Sequence, residues 1–209
     1  MKQCLFSRRT TLCGLLTTAL AWAAASPALA ASFNESGLVW GDASSCSAPQ
    51  LSQPFLAAKD TSWYALAPGE GVNGFDGTGW TLGGGASIQT GPLADGSLGE
   101  VLDLPSGAVA ISPPMCVSSD YPTARTMVRN AVGGDGVQVY VGYRGTKTEA
   151  TPQGSGQVHG NKAAWTTSPP FGIHPGNMTG WQLVRFTLVG GGRTSDFQIY
   201  DFYVDPRMH

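Results

Sequence analysis

Charge is scarce in this chain. Only 12% of its 209 residues are Asp, Glu, Lys or Arg, and no basic run occurs. A sequence without a basic stripe is a poor partner for nucleic acid or anionic lipid, so neither is expected. Histidine is sparser still. His159, His174 and His209 stand in no metal-ligand spacing and beside no nucleophile motif, which removes the usual zinc and triad signatures. Paired carboxylates for glycoside hydrolysis are not declared either. Asp95, Glu100, Asp103, Asp120 and Asp135 read as lying near turns or strand ends, and Glu149 falls in a glycine-rich stretch. A catalytic role is therefore not expected. Finally, no segment after Ala31 sustains a 3.6-residue apolar period, which argues against helical architectures.

The one long apolar run lies at the start. Lys2, Arg8 and Arg9 precede an apolar stretch from Leu12 to Ala25, and Ala28-Leu29-Ala30 forms a small-residue cleavage box. Residues 1–30 read as a signal peptide, so the product is expected to be secreted. The stretch is too short and alanine-rich for a permanent anchor, and no membrane span is expected in the mature chain. Ser7-Arg8-Arg9 resembles a twin-arginine export signal, although Thr11 and Cys13 stand where that class prefers Phe and Lys. Both the twin-arginine and the ordinary export routes stay open. Removing the leader takes away Lys2, Arg8 and Arg9 but no acid, so the 12 basic side chains fall to 9 against 14 acidic ones. The product is mildly acidic.

Four cysteines occur, and Cys4 and Cys13 leave with the leader. In an oxidising compartment the remaining Cys46 and Cys116 are expected to form one disulfide, worth about 2–4 kcal/mol by constraining the unfolded chain.

What the chain has in quantity is glycine, 29 residues, with 14 prolines between short apolar runs. That composition punctuates strands. In Val137-Gln138-Val139-Tyr140-Val141-Gly142-Tyr143 the valines and Tyr143 share one side, the period of a half-buried strand. Trp181 to Val189 repeats the pattern with Val184, Phe186 and Leu188. Gly190-Gly191-Gly192-Arg193 then reads as a tight reversal into a last strand, Phe197 to Val204, making the clearest hairpin in the chain. Further strands are predicted at residues 79–82, 87–90, 101–104, 108–111 and 125–130. Seven or more short strands indicate an all-β fold of two packed antiparallel sheets, a β-sandwich or jelly roll. Residues 31–70 are less regular and are expected to pack on a sandwich domain of residues 71–209.

Several segments together resemble a family of secreted actinobacterial proteins of unknown function. They are Cys46-Ser47-Ala48-Pro49-Gln50-Leu51, Tyr64-Ala65-Leu66-Ala67-Pro68-Gly69, Gly79-Trp80-Thr81-Leu82-Gly83-Gly84-Gly85-Ala86, Ser112-Pro113-Pro114-Met115-Cys116-Val117 and Ile199-Tyr200-Asp201-Phe202-Tyr203-Val204-Asp205-Pro206. More broadly, the chain is similar to galactose-binding-like sandwiches, which include many carbohydrate-binding modules. That resemblance implies a structural calcium where the opening and closing strands meet. Here Asp76 ahead of Gly79-Trp80 matches the first acidic position and Asp201 the second of a pair, while Tyr200 replaces the other acid. Two carboxylates with carbonyls from a glycine turn suit calcium. The alternative is that Asp76 shapes a turn and Asp201 pairs locally.

Five tryptophans lie beyond the leader, at 40, 63, 80, 165 and 181. Aromatic faces stack on sugar rings while a few polar side chains bond the hydroxyls. Trp80, at a strand start, reads as core. Trp165, in a turn-like segment, is the candidate for exposure. Tyr140 is its expected companion, with Arg129, Asn130 and Gln138 as polar partners. The expected function is binding of glycan or another cell-envelope polymer, with a purely structural envelope role as the alternative and a polysaccharide hydrolase or lyase behind it.

Overall fold

A computed structural model describes residues 38–71, 74–173 and 179–206. The export segment, 1–30, lies outside them. The first strands are β1 (Leu51–Ser52), β2 (Tyr64–Leu66), β3 (Thr81–Gly83), β4 (Ser87–Pro92), β5 (Leu98–Pro105) and β6 (Val109–Ile111). Next come β7 (Met115–Val117), β8 (Thr123–Val132), β9 (Val137–Tyr143), a single helical turn α1 (Lys147–Ala150) and β10 (Gln153–Val158). The chain closes with β11 (Asn161–Lys162), β12 (Thr166–Thr167), β13 (Phe171–Gly172), β14 (Gln182–Gly190) and β15 (Asp196–Asp205).

These strands form two sheets. The nine-stranded sheet runs β1-β2-β15-β5-β4, with β8 also paired to β15 and the short β11, β12 and β13 paired to β8. The six-stranded sheet runs β10-β9-β14-β6-β3, with β7 on β14. All pairings between named strands are antiparallel except β11 on β8. The fold is an antiparallel β-sandwich.

Period-two alternation places the core between the sheets. Val137, Val139, Val141 and Tyr143 of β9 and Val184, Phe186 and Leu188 of β14 face Phe197, Ile199, Phe202 and Val204 of β15. The rings of Phe186 and Phe202 meet across the gap at 4.9 Å between centroids. Trp80 closes the same cluster, 4.9 Å from Phe75 and 6.4 Å from Phe202, with its indole N–H donating to the Pro68 carbonyl at 2.7 Å. Each such side chain removed from water contributes about 1.5–3 kcal/mol.

The expected hairpin of the last two strands is corrected by the structure. β14 belongs to the six-stranded sheet and β15 to the nine-stranded one, so residues 190–195 form a corner between sheets. The glycines serve close approach of backbones. Gly190 donates to the Ala108 carbonyl at 2.9 Å and accepts from Gly107 at 2.8 Å, while Gly191 donates to Gly136 at 3.1 Å. A Cβ on Gly190 would lie 2.2 Å from the Pro105 oxygen, and one on Gly191 2.2 Å from the Gly136 oxygen. A run of glycines between two alternating strands looks the same in sequence whether the chain reverses or crosses over.

Parts of residues 38–70 strap both outer faces. Strands β1 and β2 extend the nine-stranded sheet, and the segment between them lays Phe55 edge-on against Tyr64 and Tyr203. Arg125 covers the Phe55 ring, pairs with Asp60 and donates to the Ser168 carbonyl at 2.9 Å. On the other sheet the Cys46–Cys116 disulfide ties the chain to β7. Arg185 stacks on Trp40 at 4.2 Å and donates to the Val39 carbonyl.

The corner predicts that Gly190→Ala lowers unfolding stability by about 2 kcal/mol, because a methyl group has no room there. Denaturant titration measures it; an unchanged midpoint would mean that the corner yields freely.

Candidate functional site

The outer face of the nine-stranded sheet is only partly covered by the Phe55 strap. On the remainder, four neighbouring strands each present one polar side chain. Gln198 stands between the core residues Phe197 and Ile199 of β15, Asp103 between Leu102 and Leu104 of β5, and Arg129 next to Val128 of β8, so alternation turns all three outward. Gln89 of β4 lies diagonally across from Asp103.

These side chains are linked into one track. Gln89 Nε2 donates to Asp103 Oδ2 at 3.0 Å, and Gln198 Nε2 donates to Asp103 Oδ1 at 3.0 Å. Arg129 Nε donates to Gln198 Oε1 at 2.6 Å. The Arg129 guanidinium lies over the Trp165 ring, 4.8 Å from its centroid. Three strand spacings of about 4.8 Å give the track a length of about 14 Å from Gln89 to Arg129. It begins at a neutral amide, carries its one acid next to that end, and finishes at a cation against an aromatic ring.

Trp165 is half-buried rather than exposed. Its N–H donates to the Pro92 carbonyl at 2.7 Å, and its ring meets Tyr200 edge-on at 4.6 Å. Tyr200 in turn accepts a bond from the Ala94 N–H at 2.9 Å through its hydroxyl. The turn between β4 and β5 thus holds both rings against the sheet. Asp103 is 7% exposed and engaged at both oxygens, which makes it a fixed acceptor and unsuited to act as a nucleophile or base. Two residues before Gln198, one oxygen of Asp196 is buried without a hydrogen-bond partner. Burial first, and the nearby charge of Asp103 second, raise the Asp196 carboxyl above its ordinary range.

The five residues expected to bind ligand do not converge. Arg129 and Trp165 share the track. Tyr140 and Gln138 lie on the outer face of the opposite sheet, beside Thr187 and Val189. Asn130 turns inward with Phe197, is 5% exposed, and accepts from the Gly160 N–H at 3.1 Å. Gln89 and Gln198 carry no motif in the sequence, Asp103 reads there as an acid near a strand end, and Tyr200 as the residue that replaces a calcium ligand. A usable signal existed in Leu102-Asp103-Leu104 and Phe197-Gln198-Ile199, where a polar residue sits between two core residues.

The two acids expected to hold calcium sit near a third. Asp76 is exposed, and its Oδ1 accepts from the Thr78 N–H at 2.7 Å, a turn-shaping bond. Asp201 lies in a left-handed conformation, φ 56°, at a bulge in β15. Glu70 clamps that bulge, accepting from the Asp201 N–H at 3.1 Å and the Phe202 N–H at 2.9 Å. Among the described residues no three His, Cys, Asp or Glu side chains gather as a metal-holding group.

Electrostatics at this end favour protons. Burial above all pushes Glu70 well above its usual value, with Asp201 and Asp76 adding to the effect against the two backbone bonds. Burial and then Asp95 push Asp201 up to about 6. Asp60 behaves oppositely. Burial opposes its ionisation, but bonds from Tyr64, Ser62 and Arg125 outweigh that and hold it at about 2.

The chain matches no protein-family model and no curated protein. Among solved structures it is similar to the CBM22-1 xylan-binding domain of Paenibacillus barcinonensis Xyn10C, at 10% identity and a TM-score of 0.47, over 69% of this chain and 93% of that one. It is also similar to the arabinose-bound MgGH51 α-L-arabinofuranosidase, at 13% identity and a TM-score of 0.46, over 71% of this chain and 27% of that one. A third likeness is to the family 11 carbohydrate-binding module of Clostridium thermocellum, at 11% identity and a TM-score of 0.39, over 70% and 96%. These are distant likenesses, and the two-sheet fold stands on the strand pairing above. No described helix is long and apolar enough to cross a membrane.

A pH dependence follows. A carboxyl whose folded pKa is raised binds more protons in the folded state, so the fold loses stability as pH rises between the unfolded value, near 3.8, and the folded value, about 6 for Asp201. The thermal midpoint should therefore rise as pH falls from 7.5 to about 4.5, and turn down at lower pH as Asp60 takes up its proton. Asp201→Asn should raise the midpoint at pH 7.5 and flatten the slope. A midpoint that falls steadily from pH 7.5 to 4.5 would contradict this.

Proposed function

We propose that this chain is a secreted, non-catalytic β-sandwich that binds glycan along the track from Gln89 to Trp165. The carrying observation is the unbroken bonded row Gln89–Asp103–Gln198–Arg129 across four adjacent strands, ending against an aromatic ring. Such a row fixes its own rotamers before any ligand arrives, which reduces the ordering cost of binding. Its amides and guanidinium retain further hydrogen-bonding capacity for hydroxyl groups. The indole supplies an apolar edge for a sugar ring.

Retention on insoluble polysaccharides, or retardation in gels containing soluble ones, tests the reading. Arg129→Ala and Gln198→Ala should each weaken retention by roughly tenfold, with the fold checked by circular dichroism. Wild-type protein that is retained by no polysaccharide, or variants that are retained as well as it, would remove the track from consideration.

A second reading, a structural envelope protein with no small ligand, is favoured by one observation. Both Asp103 oxygens and the Trp165 N–H are already satisfied inside the protein. It predicts that Arg129→Ala lowers the thermal midpoint and changes nothing in retention.

Calcium at the Asp76 and Asp201 end belongs to the same proposal, with Glu70 beside them. Asp201 and Asp76 both act against the charge of Glu70, and a divalent cation would relieve that. Millimolar calcium should raise the thermal midpoint at pH 7.5, and Asp201→Asn should abolish that rise. No change on adding calcium or chelator would dismiss the ion.

A further inference from the structure

A cavity of about 310 Å³ opens where β9, β10 and β13 meet. It is separate from the track. β13 pairs with β8 at Thr123 and Ala124, which is roughly 17 Å along that strand from Arg129, and β9 and β10 belong to the other sheet.

A bulge shapes the opening. Gly154 pairs with Tyr140 and Gly156 with Val139, which leaves Ser155 as the extra residue of β10. Bulges redirect a side chain out of the ladder. Here the Ser155 hydroxyl donates to the Gly172 carbonyl of β13. The Tyr143 hydroxyl donates to the next carbonyl, that of Ile173. These two bonds bridge the margins of the two sheets and set the width of the space beside them. Val141 and Ile173 give it an apolar wall, and Thr148 and Gln153 a polar rim. Gly154 and Gly172 add backbone without side chains.

Among the described residues no Asp, Glu, Lys, Arg or His lines the cavity. Among the described residues Tyr143 is the one ionisable lining group, and burial raises its hydroxyl so that it stays neutral. A charged ligand would lose its hydration without gaining a counter-charge. A wholly apolar ligand would strip water from the rim amide and hydroxyls without replacing it. The remaining class is uncharged and carries an apolar face and hydroxyls at once. The volume lies at the low end of small-molecule sites. We propose that this cavity is a second binding site, independent of the track, which takes one neutral sugar unit with its C–H face on Val141 and Ile173 and its hydroxyls toward Gln153 and Thr148.

Amide chemical shifts of isotope-labelled protein, titrated separately with glucose, galactose, xylose and glucuronate, test the proposal. At least one neutral sugar should give saturable shifts at Gly154, Ser155, Gly172 and Ile173 with an affinity of about 1 mM. Glucuronate should bind at least tenfold more weakly. Val141→Phe fills the cavity and should abolish the shifts. Gln153→Ala, on the exposed rim where folding is unaffected, should weaken binding by about fivefold. Absence of saturable shifts at these amides overturns the site, as does equal binding of glucuronate or full affinity in Gln153→Ala. Shifts confined to Gln89, Gln198 and Arg129 would overturn the site and leave the track intact.

Discussion

Strand β15 is the member on which the rest of the structure depends. It is hydrogen-bonded along one side to β8 and along the other to β5 and then β2. One face supplies Phe197, Ile199, Phe202 and Val204 to the core, and the other supplies Gln198 and Tyr200 to the track and Tyr203 to the Phe55 strap. A strand with period two can serve two surfaces at once, provided its register is held. The bulge at Asp201 shifts that register part-way along, and Glu70 satisfies the two backbone N–H groups that the bulge releases. Core, track and strap therefore share one backbone trace.

That arrangement makes the acidic end a tuned weakness. Glu70 is positioned by geometry to accept two N–H bonds, yet burial and the neighbouring carboxylates work against its charge. The Asp60–Arg125 pair at the strap has the reverse character, with Tyr64 and backbone donors favouring the ionised form. Two carboxylates flanking the same sheet thus respond to protons in opposite senses. Both carboxylates have donors, and the deeper burial of Glu70 decides the difference.

The sandwich was legible in the sequence because alternation is a local property. Val137 to Tyr143 form β9 with the bounds that their pattern indicates, and Val184, Phe186 and Leu188 of β14 face as they read. The corner at Gly190 was not legible, because sheet membership depends on which distant backbone a glycine must approach. Short strands such as β11, β12 and β13 carry no pattern of their own and exist through their pairing with β8. The track was half legible. Arg129 and Trp165 stand out by residue type, whereas Asp103 and Gln198 acquire meaning only when β4, β5, β15 and β8 are ordered side by side. Tyr140 and Arg129 both point outward from good strands, and nothing local reveals that those strands lie in opposite sheets.

The disulfide bears on how the molecule handles force. Cys116 lies in β7, which is laddered to β14, the central strand of the six-stranded sheet. Tension applied to the backbone ahead of Cys46 passes through the sulfur bridge into that ladder and loads it along the strands, before it can peel β1 and β2 from the other sheet. Load entering ahead of Cys46 therefore has a covalent path into β7 and β14 that does not run through β1 and β2.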